Sequence, residues 1–232
     1  MNLIQRIFIG IVFCCSSSYG ADDGVHLFML SGQSNMARME PNKVFTPSVE
    51  KHFGKENVVV VKVAKGGQPI RRWDKKWSVT GDQDPKQIGD LYENLIKATK
   101  EALAGRKIKT ATFIWMQGER DAKDSLSDLY EQSFLGILDQ IRTDLSFDEL
   151  HYVIGRLSDN GIGKAQWDRM REIQVKLADA SPLGEWVNTD DLNDGVHSKT
   201  GKTLKNDLHY TVEGYDILAR RYVEKAIKLI EK

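Results

Sequence analysis

The stretch VHLFMLSGQSNM, residues 25–36, decides the fold class of this chain. Its mainly apolar first half stops at Ser31-Gly32, which is the pattern of a buried strand that ends in a sharp turn. Ser34 therefore lies just past the carboxyl end of a predicted strand, the edge where open α/β folds place their chemistry. It is a candidate nucleophile, provided that a base and an oxyanion site lie near it.

Further apolar runs alternate with helical patterns along the chain. The predicted strands are Val25–Leu30, Val58–Ala64, Thr110–Met116, His151–Leu157 and Glu185–Thr189. The predicted helices are Gln87–Ala104, Leu126–Leu145, Ala165–Ala180 and Thr211 to about Ile230, with a shorter one around Ser48–Phe53. This alternation predicts right-handed crossovers and a parallel sheet covered on both faces, an α/β fold. No repeat or linker divides the chain, so we expect a single domain over residues 21–232.

The first twenty residues have the pattern of a secretory signal peptide. Arg6 precedes an apolar stretch from Ile7 to Cys15, and small residues lead up to Gly20. We expect cleavage near Gly20 and a secreted or periplasmic bacterial protein. Cys14 and Cys15 both lie in this segment, so the mature chain has no disulfide, no thiolate nucleophile and no cysteine metal ligand.

The charge balance and the motifs exclude several classes of function. The chain has 33 Lys and Arg against 33 Asp and Glu, and no basic stripe indicates nucleic acid. No later apolar stretch is long enough to span a membrane. Neither a dinucleotide fingerprint, a P-loop nor a metal-ligand spacing is present, so no cofactor and no metal are predicted. The oligomeric state is not predicted.

Five histidines are available as a base for Ser34. His26 and His151 begin predicted strands and belong to the amino edge of the sheet, and His52 lies in an irregular crossover. His197 and His209 remain.

Each of these two histidines has an acidic residue close upstream, as a catalytic triad requires. Asp194 comes three residues before His197, and Asp207 comes two residues before His209. The spacing alone does not choose between them.

Three groups at predicted strand ends can donate to an oxyanion. They are the backbone N–H of Ser34, a backbone N–H of Gly66-Gly67 after the second strand, and the amide of Gln117 after the third. The serine is not in a Gly-x-Ser-x-Gly elbow, which argues against the common α/β-hydrolase arrangement.

Taken together, five blocks resemble the SGNH-type hydrolases, specifically the sialate O-acetylesterase and acetylxylan esterase branch. The blocks are Gly32–Met36, Ala64–Ile70 with Trp73, Trp115–Asp121, the trio Trp167, Arg171 and Gln174, and Asp207–Tyr215. The resemblance covers nearly all of the mature chain.

The resemblance implies a flavodoxin-like three-layer α/β/α sandwich with a five-stranded parallel sheet in the order 2-1-3-4-5. It also implies hydrolysis of acetyl esters on carbohydrates without a cofactor. By position, Ser34 is the nucleophile, His209 is the base, and Gly67 and Gln117 join the Ser34 N–H in the oxyanion hole. Asp207 is the triad acid of this branch, although the wider superfamily places that acid three residues before the histidine.

The residues that choose the sugar are less defined. Arg71 and Trp73 follow the glycine block and are candidates for hydrogen bonding and stacking, although Trp73 also fits packing beneath its loop. Glu119 in the third block is a further candidate. Alternative functions are a less selective arylesterase, lipase or thioesterase of the same superfamily, or a secreted carbohydrate-binding protein without activity. The chain has no long apolar segment that resembles a lid, which argues against a lipase.

Overall fold

The protein is a three-layer α/β/α sandwich, as predicted. The computed structural model describes residues 24–78, 87–196 and 200–232. Five parallel strands form the sheet in the order β2-β1-β3-β4-β5. They are β1 (Val25–Gly32), β2 (Val58–Ala64), β3 (Ile108–Met116), β4 (Leu150–Gly155) and β5 (Gly184–Val187). None of the described helices is both long enough and apolar enough to cross a membrane.

Helices cover both faces of this sheet. One face carries α3 (Asp90–Leu103), α5 (Ser127–Leu145) and α6 (Ala165–Asp179), and the other carries α2 (Phe45–Phe53) and α7 (Val212–Ile230). Two short helices, α1 (Ser34–Arg38) and α4 (Glu119–Lys123), directly follow strand ends, and a small antiparallel pair, β6 (Gly195–Val196) and β7 (Thr203–Leu204), precedes α7. The predicted order of strands and main helices is confirmed.

The sequence explains why β1 is the centre of the sheet. All eight of its residues are buried, because it has hydrogen-bonded neighbours on both edges and helices on both faces. Its last residue, Gly32, has φ +138° and pairs with Ala64 of β2 and Met116 of β3. A Cβ atom on Gly32 would lie 2.0 Å from the Met116 carbonyl oxygen, so only glycine fits.

Some predicted boundaries shift for local reasons. Helix α3 starts at Asp90 rather than at residue 87, because Gly89 adopts φ +71° at its N-cap and interrupts the helical backbone. Helix α7 begins as the sequence indicates, with the Thr211 hydroxyl accepting the Gly214 N–H at 2.8 Å. The turn predicted after Gly32 is in fact the start of helix α1 at Ser34.

Candidate active site

Three strand ends meet at one point of the carboxyl edge. The Gln33 N–H donates to the Met116 carbonyl at 2.8 Å, and the Lys65 N–H donates to the Gly32 carbonyl at 3.1 Å. These bonds bring together the segments that leave β1, β2 and β3. The point lies where the strand order reverses, which is the position at which open α/β sheets form their ligand crevice.

Ser34 and His209 approach each other here although 175 residues separate them. The Ser34 Oγ atom lies 3.1 Å from His209 Nε2, within hydrogen-bond distance. Ser34 is the first residue of α1, so its backbone N–H has no acceptor within the helix. The structure therefore places in one location a hydroxyl, an imidazole and an N–H donor that has no acceptor among the described residues.

A fully buried asparagine supports the loop that carries His209. The side chain of Asn193 donates from Nδ2 to the backbone carbonyl of Asp207 at 3.0 Å, and the backbone carbonyl of Asn193 accepts the Asp207 N–H at 3.3 Å. The Thr211 N–H bonds the Leu192 carbonyl at 3.0 Å on the other side of the histidine. Asn193 has no place in the sequence motifs, and nothing in its spacing reveals this role.

Asn35 links the serine segment to the histidine loop. Its Nδ2 atom donates to the Leu208 carbonyl at 3.1 Å and to Glu119 Oε1 at 3.0 Å. The Tyr215 hydroxyl donates to Asn35 Oδ1 at 2.9 Å. All of the polar atoms of this side chain are thus used to fix the two residues that flank it in space, Ser34 and His209.

Asp207 lies beside His209 but does not bond its ring. The distance from Asp207 Oδ1 to His209 Nδ1 is 3.9 Å, which is beyond hydrogen-bond length. The same oxygen accepts the backbone N–H of His209 at 2.8 Å, and the Asp207 side chain is 40% exposed. In this arrangement the carboxylate supports the backbone of the loop, and the triad role that the family resemblance implies for Asp207 stays a prediction.

The glycine block lies against the serine. A Cβ atom on Gly66 would come within 3.6 Å of Ser34 Cβ, so the two backbones are close. Gly67 is exposed, has φ +69°, and has no atom within 4 Å of a would-be Cβ. This left-handed conformation favours glycine and leaves an open approach for a ligand.

In this structure the side chain of Gln117 is engaged within the protein, and its predicted place in the oxyanion hole stays a prediction. Its side chain is fully buried, and Nε2 donates to Asp121 Oδ2 and to the Gln68 carbonyl at 3.1 Å. Gln33 Oε1 lies 3.3 Å from the same nitrogen. Since an amide has only two N–H groups, neither is left for an oxyanion. Gln117 instead stabilises the loop of Gly66 and Gly67 through its hydrogen bond to the Gln68 carbonyl.

Two buried carboxyl groups follow Gln117 on α4. Burial raises the pKa of Glu119 to about 7, with hydrogen bonds from its own backbone and Asn35 opposing the shift and the charge of Asp121 adding to it. Burial likewise raises the pKa of Asp121 to about 6, although Gln117 and the Ile70 N–H bond it. Glu119 is only 6% exposed, so it acts within the protein rather than on the surface as a contact for sugar.

Of the two roles that the sequence left open for Trp73, the structure shows the packing role. Trp73 is completely buried, donates from Nε1 to Ser31 Oγ at 2.8 Å, and packs edge-on against Trp115 at 5.1 Å between ring centroids. It therefore packs beneath its loop and does not reach a substrate. Arg71 is half-buried, and its Nε has no partner among the described residues. His197, the alternative base, lies outside the described residues.

The parallel α/β/α sandwich and the Ser34–His209 pair at its carboxyl edge have the arrangement that a serine esterase requires. The chain belongs to the carbohydrate esterase family described as sialic acid-specific acetylesterase, whose model matches residues 37–228. It is accordingly a carboxylic ester hydrolase. The matched range includes Gly67, Gln117 and His209 and begins just after Ser34.

Solved structures share the fold at low sequence identity. A protein from Arabidopsis thaliana is 19% identical with a TM-score of 0.64, over 89% of this chain and 99% of that one. The carbohydrate acetylesterase XAC1771 from Xanthomonas citri is 17% identical with a TM-score of 0.66, over 88% of this chain and 56% of that one. NanS is 14% identical with a TM-score of 0.58, over 88% of this chain and 97% of that one. No curated protein sequence matches significantly.

Proposed function

We propose that this protein removes O-acetyl groups from carbohydrates through an acetyl-enzyme formed on Ser34. The observation that carries the proposal is the 3.1 Å distance between Ser34 Oγ and His209 Nε2 at the carboxyl edge of the sheet. Membership of a carbohydrate esterase family supports the type of substrate. A hydroxyl becomes a nucleophile when an adjacent imidazole can take its proton, and this geometry meets that requirement.

The proposed reaction has two steps. In the first, His209 Nε2 takes the proton of Ser34 as Oγ attacks the acetyl carbonyl, and the sugar alcohol leaves with that proton. In the second, His209 takes a proton from water, the resulting hydroxide equivalent attacks the acetyl-enzyme, and acetate leaves as the proton returns to Ser34.

Backbone groups stabilise the oxyanion in this proposal. The Ser34 N–H is unused at the start of α1, and the exposed Gly67 stands on the loop that packs on Ser34. Donors fixed by the backbone cost little reorganisation when negative charge develops on the carbonyl oxygen. Gln117 positions this loop through the Gln68 carbonyl and makes no direct contact with substrate.

We propose further that residues 1–20 are a signal peptide and that residues 21–232 form the single esterase domain outside the cytoplasm. The sequence of the first twenty residues supports this, since Arg6 and a short apolar stretch precede small residues. Mass spectrometry of the N-terminus after expression in a bacterial host tests it. A retained N-terminal segment, or cleavage far from Gly20, contradicts the proposal.

The decisive experiment replaces the nucleophile and the base. We expect Ser34→Ala and His209→Ala to lower kcat on p-nitrophenyl acetate by at least about 10³-fold, because such residues act as a unit. His52→Ala is the matched control, since His52 is exposed and pairs with Glu231. Full activity in Ser34→Ala refutes the proposal, and loss in His197→Ala with activity retained in His209→Ala moves the base to His197.

Acetate release from acetylated glycans separates the alternatives. An O-acetylesterase of carbohydrates releases acetate from them with a higher kcat/KM than from simple aryl esters. A less selective arylesterase shows the opposite order. A protein that only binds carbohydrate releases acetate from neither substrate and shows no difference between wild type and Ser34→Ala.

A further inference from the structure

A cavity of about 480 Å³ lies beside the candidate active site. One wall is formed by the end of α1 and the segment after it, including Ala37 and Arg38, and the other by the start of α7, including Val212 and Tyr215. Its volume falls in the range of roughly 300–1,000 Å³ typical of small-molecule sites. The sites described above do not use this cavity.

The cavity continues the surface that carries the nucleophile. Ala37 and Arg38 follow Ser34 by three and four residues, so all three share one face of α1. These residues are partly or fully exposed, whereas Asn35 and Met36 between them are buried. Arg38 lies about 6 Å from Ser34 along the helix axis, since each residue rises about 1.5 Å. The cavity is therefore a neighbour of the reaction centre and distinct from it.

The second wall of the cavity follows the base, His209, along the chain, as the first wall follows Ser34. Val212 follows His209 by three residues, and Tyr215 bonds Asn35 at 2.9 Å behind the nucleophile. Both walls thus come from the segments that hold the serine–histidine pair.

The floor of the cavity is apolar and its rim is charged. Val212 is 43% exposed, and the ring of Tyr215 packs at 5.4 Å from that of Tyr210 beneath it. At the rim, Lys43 pairs with Asp216 at 2.6 Å. An apolar base with a few polar groups around it suits a sugar ring, whose C–H face is apolar and whose edge carries hydroxyls.

Arg38 is the rim cation with unused hydrogen-bonding capacity. It forms no ion pair with any carboxylate in the described part of the chain. Burial raises the pKa of Tyr215, and the charge of Arg38 and a hydrogen bond with its side chain oppose that shift, so the guanidinium lies against the floor of the cavity and one of its donors is directed at Tyr215. A guanidinium has five N–H donors, so several remain available to a ligand.

We propose that this cavity is a subsite for a second sugar unit, joined to the sugar whose acetyl group reaches Ser34. The inference rests on the proposed function and deepens it, because it makes an acetylated oligosaccharide the preferred substrate over an acetylated monosaccharide. Arg38 donates hydrogen bonds to the second unit, and Val212 and Tyr215 contact its apolar face. Arg38 is therefore a residue that determines specificity for chain length.

The test compares acetylated substrates that differ only in length. A monosaccharide, a disaccharide and a trisaccharide with the acetyl group on the same terminal sugar are supplied to the wild type, and acetate release is measured. We expect kcat/KM to rise about tenfold from one unit to two, mainly through KM, because one charge-assisted hydrogen bond and one sugar face are added. The third unit adds little.

Two variants assign the effect to the cavity. Arg38→Ala is expected to reduce the ratio of disaccharide to monosaccharide kcat/KM from about ten to about two. Arg169→Ala is the matched control, since Arg169 is an exposed arginine on α6 that pairs with Asp128, and it keeps the wild-type ratio. Thermal unfolding shows that both variants are folded.

The outcomes separate this inference from the proposed function. If the wild type shows no gain from the second unit, or if Arg38→Ala leaves the ratio unchanged, the subsite is refuted. Hydrolysis of p-nitrophenyl acetate that depends on Ser34 still supports the proposed function in those cases. If no substrate is hydrolysed and Ser34→Ala behaves as wild type, the proposed function itself fails.

Discussion

Replacing Asp207 by asparagine tests whether this acid orients the imidazole or the backbone. In a triad whose acid bonds the imidazole, exchange of that acid for its amide lowers kcat by about 10⁴-fold. Here Asp207 Oδ1 is 3.9 Å from His209 Nδ1 and accepts the His209 backbone N–H at 2.8 Å. An asparagine can accept that N–H through its own Oδ1, so the support of the loop is retained.

The expected loss therefore comes from charge alone. When His209 becomes an imidazolium in the transition state, a carboxylate 3.9 Å away attracts it by ~1 kcal/mol in water and by ~4 kcal/mol at an effective dielectric constant of 20. Because the Asp207 side chain is 40% exposed, its attraction to the imidazolium is expected to be near the lower of these two energies. About 1.4 kcal/mol corresponds to a tenfold change in rate. We expect Asp207→Asn to lower kcat/KM about tenfold.

The assay is acetate release from an acetylated glycan, with kcat and KM measured separately at one pH. Asp207→Ala is the companion variant, because alanine removes both the charge and the acceptor for the His209 N–H. It is expected to lose more activity than Asp207→Asn, with the additional loss in kcat. A loss of 10³-fold or more in Asp207→Asn refutes the reasoning, since it requires a direct bond between the acid and the imidazole.

The other predictions concern the buried groups behind the serine. The pKa of Glu119 is raised from 4.5 to about 7, so the stability that its neutral form supports is complete below pH 4.5 and is lost as the pH rises through 7. Glu119→Gln removes this dependence. In urea unfolding, the free energy of unfolding of the variant relative to wild type is expected to be ~2–3 kcal/mol higher at pH 8 than at pH 5. The same difference between variant and wild type at both pH values contradicts this. Asn35→Ala removes the hydrogen bonds to Leu208 and Glu119. Steady-state kinetics are therefore expected to show a fall in kcat of about tenfold or more with little change in KM. A change confined to KM contradicts the positioning role of Asn35.

The sheet was predictable because burial on both faces leaves a clear pattern. A parallel strand such as β1 is buried along its whole length and is therefore mainly apolar, and the helices between strands are amphipathic. The sequence therefore determines the order of elements and the position of Ser34 at the carboxyl edge. The register that aligns Gly32 with Ala64 and Met116 then brings the three loops together.

Side-chain orientation was not predictable from the same pattern. Gln117 follows a strand end, as an oxyanion donor should, but Asp121 four residues later and the Gln68 carbonyl take its N–H groups. Trp73 follows the glycine block, as a residue that stacks on sugar should, but Ser31 of the central strand bonds its indole. In both cases the tertiary structure brings a hydrogen-bond partner from another segment, Gln68 or Ser31, against the side chain and decides its direction. The spacing of residues along the chain contains no information on that contact.

Asp207 shows where local chemistry competes with a motif. An aspartate commonly accepts the backbone N–H two residues ahead of it, and His209 is two residues ahead of Asp207. The spacing that resembles the acid and base of the esterase branch is therefore also the spacing of a backbone turn. The turn is reinforced by Asn206, which adopts φ +47° and bonds Asp194 through its N–H at 2.6 Å. A spacing of two residues therefore allows the same carboxylate to serve either the imidazole or the backbone, and here Oδ1 accepts the backbone N–H of His209 at 2.8 Å.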